Sequence, residues 1–392
     1  MKAAVLFEAR TPLRIVDVDL EPPRRGEVRI RIQAAGVCHS DLHYMNGDLN
    51  GKLPAVLGHE GAGIVVSVGE GVTRVAPGDS VITTWRPRCG DCEFCTSGRP
   101  ALCVAGKVQA STGGLVDGTS RLSLDGLKVH HLMGVSCFAE ECVVSERSVI
   151  RISSEIPPEI AAITGCAVIT GVGAALNLMK DSTGEAALVI GAGGVGLSAI
   201  MGLNLIGAHP IIAVDTVDAR LDLAREVGAT HTINPVTEDL EAEIARICPR
   251  GLKWALDAVG IPATLAQAVN NVGTSGTVVA VGLGRAGTSF EVPVNTLVQQ
   301  EKRIIGSLYG SSNTLVQVPK ILELYTAGKL PLERLVGDRF DLSQINEAYE
   351  ALSTGATGRA VILPSADAPD YRVDSDPRFV EISRAPLTTS LT

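Results

Sequence analysis

Residues 186–215, AALVIGAGGVGLSAIMGLNLIGAHPIIAVD, constrain this chain more than any other stretch. A short apolar run at 187–190 is of buried-strand type. Gly191, Gly193 and Gly196 follow it with the spacing G-x-G-x-x-G. An apolar helical stretch comes next, and a second apolar run at 211–214 ends on Asp215. This is the pattern of a strand–helix–strand unit. Gly191 allows the tight turn, Gly193 lets the backbone approach a pyrophosphate, and Gly196 lets the helix pack close to the strand. Gly194 and Val195 lie in the same turn, where the helix N-terminus offers free N–H groups and a positive dipole end to phosphates. Asp215 falls at the right distance for the ribose hydroxyls, and its charge repels a 2′-phosphate. NAD is therefore expected rather than NADP.

From there strands and helices alternate at 211–215, 219–227, 238–247, 254–258, 261–271 and 276–281. Further helices read at 312–328 and 342–352, and a last strand at 359–363. That alternation predicts an α/β fold with a parallel, doubly wound sheet. Upstream, 1–32 reads as short strands around a Pro22-Pro23 turn, and 105–131 as a long surface loop. Strand-like runs resume at 138–144. The stretch 159–180 reads as helical, with Cys166 and Thr170 on one face. A length of 392 residues suggests two domains. Residues 364–392, rich in Pro, Asp, Ser and Thr without apolar period, read as a poorly ordered extension.

The formal net charge of −9 argues against nucleic acid or an anionic membrane as the main partner. The N-terminus has no signal-peptide core, and no uninterrupted apolar run is long enough to span a bilayer, so the cytoplasm is expected. Nine cysteines in such a chain read as metal or redox chemistry before disulfides. Cys89-x-x-Cys92-x-x-Cys95, with Cys103 a short loop further on, suits a closed tetrahedral zinc site. A redox pair, a disulfide and a zinc ribbon are the other readings. The ribbon lacks the basic and aromatic surroundings of a nucleic-acid surface. Two more polar clusters stand out. GVCHSDLH at 36–43 carries Cys38, a candidate metal ligand, with His39, Ser40, Asp41 and His43. GHEG at 58–61 carries His59 and Glu60.

Taken together, GVCHSDLH, GHEGAG, the four-cysteine loop, GCAVITGVGAALN and VIGAGGVGLS resemble the zinc-dependent alcohol dehydrogenases of the medium-chain dehydrogenase/reductase family. The likeness runs to about Leu363, and DGTSRLSLDGLKVHHLMGVSCFAEECVV is similar to the long loop of the dimeric, liver-type members. The resemblance implies a GroES-like, mostly-β catalytic domain from 1–167 and 308–363, with a Rossmann NAD-binding domain at 168–307 between them. It implies a catalytic zinc on Cys38, His59 and Cys166 with a fourth position open, and a structural zinc on the four-cysteine loop. Glu60 would be able to approach the metal, and Asp41 would orient His59. The zinc would act as a Lewis acid on the alcohol, whose proton would leave through Ser40 and His43.

By the same resemblance His39 and Arg359 would contact the coenzyme pyrophosphate, Arg220 would lie beside the adenosine ribose, and Thr170 would meet the nicotinamide. Trp85, Leu132, Met133 and Leu308 would line a pocket for an alcohol or aldehyde with an apolar or aromatic tail. A homodimer exchanging hydride reversibly between a primary alcohol, before a secondary one, and NAD is the expectation. The competing reading is the thiol-dependent, S-hydroxymethylglutathione-type formaldehyde dehydrogenase. That branch carries an acidic pair between the Cys38 and His59 positions and an Arg for the thiol's carboxylate. Here NGDLNGKL holds only Asp48, and Lys107 stands near the Arg position. A dehydrogenase with tightly held NADH is a further variant. A non-enzymatic relative would have lost metal or relay residues, and a zinc-free quinone reductase would lack Cys38, Cys166 and the four-cysteine loop.

Overall fold

The computed structural model describes residues 1–364, so all but the first residue of the 364–392 extension lies outside the described residues. Three sheets organise the chain. The coenzyme-side sheet has six strands, all parallel, in the order His231–Ile233, Ile211–Val214, Ala187–Ile190, Leu252–Asp257, Val272–Ala280, Arg303–Gly306. This is the doubly wound order that opens a crevice beside the first strand. The central strands Ala187–Ile190 and Ile211–Val214 are buried throughout, as covered parallel strands must be. The last strand, Arg303–Gly306, is absent from the alternation read in the sequence. Its four residues, RIIG, are too short to show a period.

Two largely antiparallel β-sheets make the other half. In one, Glu27–Gly36 is central. It pairs antiparallel with Gly61–Val68, with Glu141–Ser145 and with Arg359–Leu363, the last strand of the described chain. The mostly-β half thus draws on both chain ends, with the coenzyme-side sheet between them in sequence. A GroES-like β domain and a Rossmann-type α/β domain are the two parts of the fold.

The 105–131 segment is not one long loop. It forms a helix, Ala105–Thr112, then the strands Leu122–Leu124 and Leu127–His131. The helix is amphipathic only weakly, and just Gly106 and Gln109 are buried, so tertiary packing rather than periodicity decides it. Between the halves runs the apolar helix Pro158–Leu178. By length and composition it could cross a membrane, which corrects the expectation that no such run exists, yet 94% of its apolar window is buried in the protein. It is a core helix. Its middle widens into a π-turn at Thr164–Val168, a feature that gathers at functional sites.

Candidate metal and coenzyme site

The site forms where three strand ends meet. Ala35 pairs with Gly61 and Gly36 with Val361, which brings Cys38, His59-Glu60 and Arg359 to one place. Cys38 caps the helix His39–Met45, and its Sγ accepts the Ser40 N–H at 3.4 Å. Cys166 arrives from the π-turn. One ligand atom each from Cys38, His59, Glu60 and Cys166 lies within 4.8 Å of the others, and all four residues are buried. Gly36 makes room for the carboxylate: a Cβ there would sit 2.1 Å from Glu60 Oε2.

The electrostatics suit a cation. The Cys166 thiol hydrogen-bonds the Cys38 sulfur and, against burial, holds Cys38 well below the ordinary thiol range. The same bond, with burial, pushes Cys166 up, so of the two sulfurs Cys38 is the one whose negative charge is favoured. Burial opposes protonation of His59, but the Asp41 carboxylate and the Cys38 sulfur outweigh it and hold its pKa well above the usual value. Asp41 Oδ2 stands 3.1 Å from His59 Nδ1, and Asp41 Oδ1 accepts the Gly58 N–H at 3.0 Å. This leaves Nε2 turned to the cluster, 4.0 Å from Glu60 Oε1. Two sulfurs and an imidazole backed by a carboxylate are the donor set of a zinc site with room for a further ligand.

On the coenzyme side Gly191 turns with φ 91°, and the helix Gly194–Leu205 starts within the glycine run. Asp215 closes the second strand, as its spacing predicts. Its carboxylate also holds the loop: Oδ2 accepts the Ala192 N–H at 2.8 Å and Oδ1 the Val217 N–H at 3.0 Å. Arg220 lies beside it, with one guanidinium nitrogen 3.9 Å from Oδ1. Arg359 joins the two centres. Its Nε donates to Glu60 Oε2 at 3.1 Å and a terminal nitrogen to Oε1. Its stem lies against Gly194, where a Cβ would meet Arg359 Cδ at 3.4 Å. His39 is biased to the neutral imidazole by burial first and by Arg359 and Arg220, outweighing Cys38. Ser40 and His43 are three apart on one short helix, and His43 Nδ1 is 3.2 Å from Asp48 Oδ2. Thr170 is buried next to Gly171, whose backbone abuts Val195: a Cβ on Gly171 would lie 2.2 Å from Val195 O.

A cavity is lined among others by Tyr44, Leu57, Gln109 and two of the four expected pocket residues, Leu132 and Met133; Trp85 and Leu308 do not line it. Trp85 stands edge-on to His59, with ring centroids 6.4 Å apart. Its other neighbour is Tyr309, at 4.6 Å, whose hydroxyl donates to Gly165 O beside Cys166. Leu308 and Trp85 each pack against the core that joins the coenzyme-side sheet to the β-rich half. Tyr44, Tyr309 and Gln109 were not legible as site residues. Only Tyr309, adjacent to Leu308, carried a positional hint.

The second cluster is Cys89, Cys92, Cys95 and Cys103, again with ligand atoms within 4.8 Å of one another. The one-turn helix Glu93–Thr96 places Cys92 and Cys95 at its two ends. Backbone N–H groups of Val104 and Cys95 point at the Cys92 sulfur and draw its pKa down to about 6, as a thiolate ligand requires.

Known proteins share this arrangement. Residues 194–324 match the family model of a zinc-binding dehydrogenase, and residues 24–154 that of an alcohol dehydrogenase GroES-like domain. An alcohol dehydrogenase class-3 of Myxine glutinosa is 38% identical over 365 residues, 92% of this chain and 97% of that protein. This chain belongs to the zinc-dependent medium-chain dehydrogenase/reductase family. An S-(hydroxymethyl)glutathione dehydrogenase of Photobacterium damsela subsp. piscicida is 37% identical over 92% of this chain and 99% of its own length. Among solved structures, the benzyl alcohol dehydrogenase of Acinetobacter calcoaceticus superposes with a TM-score of 0.87 at 33% identity, covering 93% of this chain and 99% of that one. As a member of this family the chain is a zinc-binding oxidoreductase with two candidate metal clusters. Cys95→Ser is expected to halve the zinc bound per chain and to lower the thermal midpoint by several degrees. An unchanged midpoint in calorimetry would argue that the four-cysteine loop is not a structural metal site.

Proposed function

We propose that this medium-chain dehydrogenase oxidises a hydroxymethyl group by two electrons with NAD, and that S-hydroxymethyl adducts of small thiols, which hydride loss converts to S-formyl thioesters, are its first substrate class. The observation that carries the dehydrogenase reading is Arg359, which spans from Glu60 in the metal cluster to Gly194 at the phosphate loop. One residue thereby sets the coenzyme and the reacting hydroxyl in a fixed relation. The names of the curated relatives support the thiol-adduct class. When bound, zinc supplies Lewis-acid polarisation of a hydroxyl oxygen and the nicotinamide accepts the hydride. Cys38, His59 and Cys166 would hold the metal, with Asp41 fixing the His59 ring. Ser40 would accept the hydroxyl proton, and half-exposed His43 would pass it to solvent. Glu60, held by Arg359, would wait beside the metal.

Free primary alcohols are the second reading. Asp48, the one acid of the NGDLNGKL loop, already faces His43, and Lys107 points outward from its helix. The branch-specific acid pair is thus lacking. Homodimerisation would extend the coenzyme sheet at Arg303–Gly306, an edge strand among the described residues. Four clustered thiols suit a reducing compartment, which supports the cytoplasm.

The test is NADH formation by the zinc-loaded protein over S-(hydroxymethyl)glutathione, other thiol adducts and a series of free primary alcohols. Turnover of thiol adducts at higher kcat/KM than any free alcohol is expected. The opposite ranking favours the second reading, and tightly retained NADH would show as absorbance in the purified protein. Asp215→Gly is expected to raise the NADP:NAD ratio of kcat/KM by tenfold or more, roughly the worth of one charge contact. An unchanged ratio would count against Asp215 as the discriminator.

A further inference from the structure

We propose that Tyr309 is a positioning residue for the metal centre, whose hydroxyl and ring hold two of the three expected zinc ligands, Cys166 and His59, in place. The hydroxyl donates to Gly165 O, in the peptide that joins Gly165 to Cys166 within the π-turn Thr164–Val168. The ring lies against Trp85, with centroids 4.6 Å apart and planes tilted by 44°. Trp85 in turn meets the His59 ring edge-on, at 6.4 Å and 84°. One side chain thus reaches Cys166 through the peptide before it and His59 through a single indole. Outer contacts of this kind orient a metal's ligands, because a ligand side chain can rotate, and its backbone shift, unless neighbours fix both.

The turn that carries Tyr309 is held to one placement. Tyr309, Gly310 and Ser311 all have left-handed φ, at 57°, 64° and 52°. Two non-glycine residues of this kind in one turn are uncommon, and they persist only where the surroundings over-determine them. Here the surroundings are the helix that carries Cys166. A Cβ on Gly310 would lie 2.4 Å from Ile169 O and 2.8 Å from Thr170 O. A Cβ on Gly173 would lie 2.2 Å from Ser312 Oγ. Asn177, further along the same helix, donates to Gly310 O at 2.9 Å and to Ser312 Oγ at 3.3 Å. Gln317 Nε2 closes the network by donating to Asn177 Oδ1 at 2.8 Å. The turn is therefore pinned to the helix Pro158–Leu178 from Ile169 to Asn177, and Tyr309 has little freedom to leave Gly165.

Tyr309 is 2% exposed, so water does not compete for its bond. Gly165 has no side chain with which to anchor itself, and the strand side leaves no room for one: a Cβ there would lie 2.8 Å from Thr83 O. The phenol supplies that anchor from the other side. Phenylalanine in its place keeps the ring against Trp85 and removes only the donor to a buried carbonyl. Leucine removes the ring contact as well. The two arms of the proposal can thus be separated.

The proposal rests on the reading that Cys38, His59 and Cys166 hold a metal. Zinc retained per chain is measured in graded chelator, the visible spectrum after cobalt(II) replaces zinc, and kcat and KM separately. The cobalt bands report sulfur ligation and site geometry. Cys38→Ser marks which zinc belongs to which cluster. Tyr309→Phe is expected to weaken the zinc at Cys38, His59 and Cys166 by roughly tenfold to 100-fold. It should shift the cobalt bands and lower kcat more than it changes KM, while the four-cysteine zinc leaves as in the parent. Tyr309→Leu should weaken the same zinc further. A lower thermal midpoint with parent-like zinc retention and cobalt bands is what a merely structural tyrosine gives, and it overturns the proposal. Far-UV circular dichroism checks that each variant folds. If Tyr309→Phe does not, Asn177→Ala decides: it loosens the turn without touching Tyr309, and parent-like zinc retention there overturns the proposal. A parent protein that holds metal only on the four-cysteine loop overturns the metal reading itself, a result distinct from parent-like behaviour of Tyr309→Phe.

Discussion

Cys38→Ser is expected to remove turnover by roughly 10³-fold or more while the protein stays folded and still binds NADH. The magnitude follows from losing several kcal/mol of charge stabilisation at the reacting oxygen, at 1.36 kcal/mol per factor of ten. Cys38 is the sulfur whose charge the surroundings favour most: the Cys166 thiol donates to it, and Arg359 and His59 add attraction. A serine hydroxyl in the same place is a far weaker ligand at neutral pH. The exchange changes little volume, and the cap of the helix His39–Met45 survives, because serine caps helices well. Stability should therefore change by less than about 1 kcal/mol. The measurement is zinc content, kcat/KM and NADH fluorescence titration on one preparation. Full activity in Cys38→Ser would remove this cluster as the reaction centre. Loss of NADH binding together with activity would show that the variant had failed structurally.

The second large effect separates two glycines of one turn. A Cβ on Gly196 would lie 1.7 Å from Gly191 O and 2.9 Å from Gly191 C, backbone atoms that cannot swing aside. Gly196→Ala should thus push the helix Gly194–Leu205 off the strand Ala187–Ile190. Overpacking of this kind costs about 1–3 kcal/mol or more, and nicotinamide binding should fall with it. Gly193 differs, for nothing lies within 4 Å of its Cβ position. Gly193→Ala should unfold at the parent's denaturant midpoint yet bind NADH at least roughly tenfold more weakly, because the methyl group occupies the approach of the pyrophosphate. Denaturant melts and NADH titrations of the two variants check this. If Gly193→Ala bound NADH as the parent does, the phosphates would have to lie elsewhere.

What could be read from the sequence alone was chemistry held within short spans. The turn at Gly191 and the four cysteines at 89–103 depend on spacing along a few residues, whereas the joining of Cys38 with His59 and Cys166 rested on the family resemblance. Asp215 was legible by position, but its grip on the Ala192 and Val217 amides was not, since a carboxylate's partners cannot be read from its spacing. The helix Ala105–Thr112 escaped notice for a physical reason. AGKVQAST buries two residues only, Gly106 and Gln109, neither of them apolar in the usual sense, so no hydrophobic stripe announces it. Tyr309 was hidden for the same cause. Its neighbours, Gly165 and Trp85, come from other segments. Long-range packing decides what a side chain in a turn can do.

The position of the last strand bears on how the chain is made. Arg359–Leu363 lies between Glu27–Gly36 and Val336–Asp341 in the central β-sheet. A ribosome delivers the N-terminal strands early, but their sheet has a missing neighbour until nearly the whole chain has emerged. The coenzyme-side sheet is contiguous in sequence, and its six strands can assemble first. For much of its synthesis the nascent chain therefore exposes an unpaired edge of Glu27–Gly36 just before Cys38. Arg359, on the arriving strand, then neutralises Glu60 in the same step that closes the sheet. A release of the polypeptide short of this strand would leave a buried acid without its base and an open β-edge, a product suited to chaperones or proteases rather than to catalysis.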